Sequence, residues 1–257
     1  MIEFEPTLKL GKHLPKLDVR TLRLAKYFTA ELPAQPASMD WSAGRSDWGL
    51  MLNNQLGDCT IAACAHAIEV WSSNVAGFPV QILTDATVLK MYEDACGYNP
   101  AQPWTDQGGV EVDVLNFWRK HPQETHRLLA YADPDPGNRD HIEQSIALFG
   151  GVYIGVGLPI TSYFQVGSMW EVVGDPTKDN ASKPYSWGGH AVYVCGYTPD
   201  YLTCITWGKL QRMSWRFWNA YCDESHTLLG GWWITHKVTP SGFSHKELAE
   251  DLLKVTQ

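Results

Sequence analysis

The chain changes texture near residue 150, and no other feature limits its fold as strongly. Before that point apolar residues recur at helical spacing. Residues 60–73 carry Ile61, Ala65, Ile68 and Trp71 or Ser72 toward one face, and residues 84–96 place Val88, Leu89, Met91 and Tyr92 at helical intervals. Residues 110–119 set Val114, Leu115 and Trp118 inward, and residues 138–149 run into Gly150-Gly151, a helix stop. Beyond it come runs rich in β-branched and aromatic residues, at 152–158, 190–197, 201–207 and 231–235, separated by turn residues. Helices first and strands second predict an α+β fold, with a capped amphipathic helix from Ser244 at the C-terminal end.

With 257 residues, 44% hydrophobic and 19% charged, the composition is that of a soluble globular protein of one large or two small domains. A net charge of −8 argues against nucleic acid as a partner. No apolar run reaches membrane-spanning length, and Met1-Ile-Glu-Phe-Glu lacks the basic start and apolar core of a signal peptide. The expected setting is therefore a cytosol, or a particle packaged from one. Six cysteines form no CxxC pair, which argues against a zinc ribbon and for reduced thiols; Cys64, Cys96, Cys195 and Cys204 fit as small core residues. His121, His126, His141, His226, His236 and His245 show no metal-ligand spacing with one another, so neither metal nor cofactor is expected, and His66, seven residues after Cys59, is expected to be a packed residue.

Residues 1–38 differ from the body at 39–257. Lys9, Lys12, Lys16, Arg20, Arg23 and Lys26 outnumber the acidic residues of that stretch, and Pro33 and Pro36 make its end extended. Such an arm can pack on its own acidic body or attach the chain to other proteins of a larger particle; charge runs being usually solvated surface, the first reading is preferred.

Cys59 carries the chemistry. It follows Gly57-Asp58 and precedes an Ala-rich run, so Asp58 is expected to cap a helix whose first turn holds the sulfur. There the helix dipole favours thiolate over thiol. His190 stands 131 positions downstream, after Gly188-Gly189 and at the mouth of a strong strand. Its imidazole can take the thiol proton and return it to a leaving amine, while the glycines let a substrate backbone approach.

These patches resemble the papain-like cysteine peptidases. That family shows a His-Ala-Val strand ending in Gly-Tyr, as in His190 to Tyr197, and then Asn-Ser-Trp-Gly, where this chain reads Ile205-Thr206-Trp207-Gly208. Asp40-Trp41 and Asn54-Gln55 precede Cys59 as similar pairs precede the family's nucleophile. The resemblance implies a papain-like fold, with the nucleophile helix of an N-terminal helical half packed on a C-terminal antiparallel β-sheet half. It also implies that Cys59 attacks a carbonyl carbon, that His190 is general base and then acid, and that a side-chain amide completes an oxyanion hole. Gln55 matches the family's residue type and Asn53 its spacing; reach along the backbone favours Asn53. The family's orienting Asn falls on Ile205, which has no polar group. Thr206 is adjacent, but strand alternation turns it to the opposite side, so Asp223 or Glu224 is the other source of a partner for His190.

Gly57-Asp58-Cys59 with His66, Gly97-Tyr-Asn-Pro, Thr105-Asp-Gln-Gly and Tyr221-Cys-Asp-Glu also look like papain-like proteins encoded by bacteria and tailed phages. Two functions follow. One is a thiol hydrolase acting on peptide or protein substrates through a thioester, with Trp187 and Trp207 flooring its cleft. The other is a papain-like module of weak or lost catalysis, serving as a binding or structural component, for example of a virion.

Overall fold

A computed structural model describes residues 8–18, 21–26, 35–42, 44–75 and 79–231. In chain order the elements are β1 (Leu22–Arg23), β2 (Met39–Asp40), α1 (Cys59–Ser73), α2 (Asp85–Cys96), α3 (Glu111–Lys120), β3 (Leu128–Asp133), α4 (Arg139–Phe149), β4 (Val152–Leu158), β5 (Met169–Trp170), β6 (Gly188–Tyr197), β7 (Tyr201–Thr206), β8 (Lys209–Ser214), α5 (Trp215–Tyr221) and β9 (Cys222–Gly230). Helices α1 to α4 lie where the apolar spacing puts them. Local chemistry sets their ends: Thr84 and Asn138 side chains accept the N–H of Thr87 and His141, while Gly97 and Gly150 close α2 and α4 with φ of 77° and 78°.

The described residues build a nine-stranded sheet of order β1-β3-β9-β4-β6-β7-β8-β5, with β2 paired to β6. Pairing is antiparallel except at β1–β3 and β5–β8. Strand β6 is buried on both faces. Its Ala191, Tyr193 and Cys195 join the core built on α1, and its Val192 and Val194 join a second core with α4 and α5. Helix α1 is buried from Cys59 to Ser72. Alanines at 62, 63, 65 and 67 allow that central position, because small side chains let neighbouring backbones come close on every side.

Strands β3, β8 and β9 were not anticipated from the sequence. Strand β9 opens with Cys222-Asp-Glu-Ser-His-Thr, a polar string that reads as loop until its partners are known. The strand expected at 231–235 and the helix from Ser244 lie outside the described residues, apart from Gly231.

Residues 8–13 cross the sheet end as an extended strap. The Lys9 N–H donates to Asn53 O, the Gly11 and Lys12 N–H groups to Gly189 O at 3.2 and 3.0 Å, and the His13 N–H to Gly109 O at 2.9 Å. Gly109 N–H returns a bond to Gly11 O at 2.8 Å. The strap thus joins the loops before α1 and α3 to the start of β6.

Candidate active site

Cys59 opens α1, fully buried, and its Sγ accepts the N–H of Ala191 at 3.4 Å. The sulfur therefore rests against the β6 backbone one residue beyond His190. His190 is also fully buried. Its Nε2 lies 2.6 Å from Thr206 Oγ1, and its ring stacks on Trp207 at 4.4 Å between centroids and 14° between planes. Nδ1 has no hydrogen-bond partner. In the tautomer whose Nε2–H donates to the Thr206 hydroxyl, Nδ1 keeps a lone pair for a proton.

Thr206 overturns the expectation drawn from strand alternation. Ile205 pairs with Tyr193, and both belong to the α1 core. Thr206 accordingly turns to the other face, the face of Val192 and, two residues away, His190. The alternation rule holds, but His190 shares the face of Thr206 and not that of Ile205, so of the two orienting candidates Thr206 reaches the imidazole. Trp207 and Gly208 form the two-residue turn between β7 and β8, with φ of 45° and 75°. A left-handed Trp costs roughly 1–2 kcal/mol. The stacking on His190 and a bond from Trp207 Nε1 to Lys9 O at 3.1 Å act to offset it.

Asn53 is buried and directs Nδ2 to Leu56 O and Asp58 Oδ1, both at 3.2 Å, beside the first turn of α1. Gln55 is exposed and takes no part. Asp58 precedes α1 but makes no side-chain cap; its carboxyl bonds to Asn53 instead, and burial raises its pKa well above the usual carboxylate range. His66 is packed inside with Nε2 3.2 Å from Gly49 O, and burial lowers it to about 4.

The thiolate expectation fails in this conformation. Burial pushes the Cys59 thiol up to about 12, against the pull of the Ala191 amide, and lowers His190 to about 3. Water exclusion outweighs the helix dipole, and both groups rest in their neutral forms. The strap runs beside this site: a Cβ on Gly11 would stand 1.7 Å from Gly57 O, so only glycine lets the strap lie this close.

Asp223 is likewise not where the sequence reading put it. With Glu224 it leads into β9 and binds Lys12, whose side chain is fully buried: Nζ lies 3.0 Å from Asp223 Oδ1, 2.9 Å from Glu224 Oε1 and 3.3 Å from the Tyr185 hydroxyl. Tyr185 also donates to Asp223. Burial works against the Lys12 charge, yet Glu111, Glu224 and Asp223 outweigh it and hold its pKa above the ordinary value. Glu111, first residue of α3, is fully buried with neither carboxyl oxygen in a hydrogen bond. Burial opposes charge on His226 too, but Asp133 at 2.6 Å and Glu224 at 3.5 Å raise it to about 10.

Donor atoms of Glu111, Glu224 and His226 lie within 4.8 Å of one another. As folded, His226 is held cationic by its acidic neighbours, and the Lys12 ammonium already pairs with Glu224. Nothing in the sequence alone tied Lys12 to Asp223, which lies 211 residues away.

No protein-family model and no curated protein sequence matches the chain. Solved structures do. Xylellain, a cysteine protease from Xylella fastidiosa, superposes with TM-score 0.64 at 14% identity over 89% of this chain and 98% of that one. Procathepsin B S9 from Trypanosoma congolense gives 0.57 at 14% identity, over 89% and 88%, respectively. Digestive procathepsin L 3 of Tenebrio molitor larval midgut gives 0.55 at 15% identity, over 86% and 78%. Identities this low speak to architecture alone, and with the helices and antiparallel-dominated sheet described above they establish that the chain has the fold of the papain-like cysteine proteases.

Proposed function

We propose that this chain is a thiol peptidase held latent by its own N-terminal strap, with residues 1–38 the covering arm and 39–257 the catalytic body. One observation carries the reading: a backbone segment passes against Gly57, two residues before Cys59, and is hydrogen-bonded to Asn53, Gly109 and Gly189, the last of these next to His190. A cleft that grips a peptide backbone at Gly109 and Gly189 has the donors and acceptors to grip a substrate's.

In the proposed reaction His190 Nδ1 takes the Cys59 proton and the sulfur attacks the substrate carbonyl carbon. The charge on its oxygen meets the Cys59 backbone N–H and the Asn53 amide once that amide turns from Asp58. The imidazolium then protonates the leaving amine, and water hydrolyses the thioester with His190 again as base. Thr206 holds the ring for both transfers. The strap escapes cleavage because its backbone is committed elsewhere: the Gly11 N–H donates to Gly189 O and the Gly11 carbonyl accepts from Gly109. An open groove of about 920 Å³ beside Trp207, lined also by Tyr163 and Gly208, is left for the leaving part of a substrate.

The second reading, an inert papain-like module that binds other proteins, draws on the neutral, covered Cys–His pair. Casein or a fluorogenic peptide mixture offered to the full-length Gly11→Val chain decides between them. The peptidase reading expects hydrolysis that Cys59→Ala and His190→Ala abolish. Hydrolysis no greater than that of Cys59→Ala would leave the inert module.

A further inference from the structure

We infer that the pocket occupied by Lys12 is the cleft's selectivity pocket, and that it takes a basic side chain of the substrate, lysine first. This deepens the peptidase reading and rests on it only for the word substrate; the pocket is argued from its own walls.

Three features define it. Gly155 in β4 opens the wall, since a Cβ there would lie 1.9 Å from Lys12 Cε, and Gly189 does the same for the backbone, with 2.1 Å to Lys12 O. The Tyr185 ring lies alongside, its centroid 5.7 Å from Nζ. At the end stand Asp223 and Glu224, joined by Glu111, whose two buried oxygens lack any hydrogen bond. With Lys12 withdrawn, three carboxyl groups of Glu111, Asp223 and Glu224 would face the vacated space with His226 as the one cationic neighbour among the described residues. An apolar side chain there would strand those groups unpaired, and an acidic one would add repulsion. A primary ammonium on a four-carbon stem restores every contact. The residue in this pocket is also the one whose backbone bridges Gly109 and Gly189, so the cleft reads backbone and side chain at one position.

The test uses the full-length chain carrying Gly11→Val and Lys12→Ser, so that the strap neither lies against Gly57 nor fills the pocket. Peptide amides bearing Lys, Arg, Leu or Glu at each acyl-side position in turn are measured for binding by anisotropy with Cys59→Ala added, and for hydrolysis with Cys59 intact. At one position Lys should bind at least about 10-fold more tightly than Leu, with Glu weakest. Glu224→Gln and Glu111→Gln should shrink that ratio; Asp223→Asn, at a partly exposed position, serves if either buried variant misfolds. Leu equal to or better than Lys at every position, or a Lys preference untouched by all three variants, overturns the assignment. Lys-selective binding without hydrolysis supports the pocket and removes the peptidase reading. Hydrolysis without Lys selectivity does the reverse.

Discussion

Burial has opposite consequences for two pairs of buried groups, the Cys59 and His190 side chains near the strap and the Lys12 side chain that the strap itself carries with its neighbour His226. Cys59 and His190 are shut from water without a charged partner, so both sit in their neutral forms, the thiol raised to about 12 and the imidazole lowered to about 3. A few residues away Lys12 and His226 are as deeply enclosed but face Asp223, Glu224, Asp133 and Glu111, and both stay cationic. Desolvation decides protonation only where nothing opposes it. On the proposed reading, the Cys59 and His190 pair is silenced by a cover that the charged cluster holds down. Uncovering should change the first region far more than the second.

The largest effect is expected from Gly11→Val, which forces the strap off Gly57 without altering the body. Iodoacetamide should then label Cys59 on the order of 100-fold faster at pH 6, because a tethered segment that occludes a site acts at millimolar effective concentration. Cys64, buried within α1, is the internal standard. Equal labelling of both thiols would break the comparison.

Next comes Lys12→Met, which keeps the stem and removes the charge. Leaving Asp223 and Glu224 without their cation should cost about 3 kcal/mol in urea unfolding. An unchanged midpoint would mean the cluster does not hold the strap.

The charged region has its own pH signature. The folded pKa of His226, about 10, lies above the ordinary 6.5. Its contribution to stability is therefore complete below pH 6.5 and is lost as pH rises through 10. Denaturant midpoints should decline across that interval, and His226→Gln should flatten the decline. A steeper decline in the variant would refute the assignment.

The smallest effect concerns Thr206. In the Gly11→Val background, Thr206→Val removes one bond to His190, worth roughly 1–2 kcal/mol, and should slow Cys59 labelling about 10-fold. Thr206→Ser should restore it. A rate unchanged by both would make the contact merely structural.

The two regions also differ in how far the sequence foretold them. Local signals located α1 to α4, because Thr84, Asn138 and the glycines at 97 and 150 act within a few residues. Strand β6 was legible from its apolar run, and Cys59 with His190 from the spacing around them. Thr206 required the β6–β7 register, which no short motif encodes. The Lys12 cluster was opaque for the same reason at greater range. Asp223, Glu224 and His226 look like solvated loop until a lysine from the other end of the chain makes them a buried strand. Asp58 capped nothing because Asn53 offered its carboxyl a nearer partner.

The pH profile of Cys59 alkylation in the wild-type and Gly11→Val chains tests the central claim most directly. The covered-pair account predicts slow wild-type labelling below pH 9. It predicts that Gly11→Val will show a fast plateau extending below neutrality, which His190→Ala abolishes. A Gly11→Val profile rising only near the ordinary thiol pKa of about 8.5, and indifferent to His190→Ala, would contradict it.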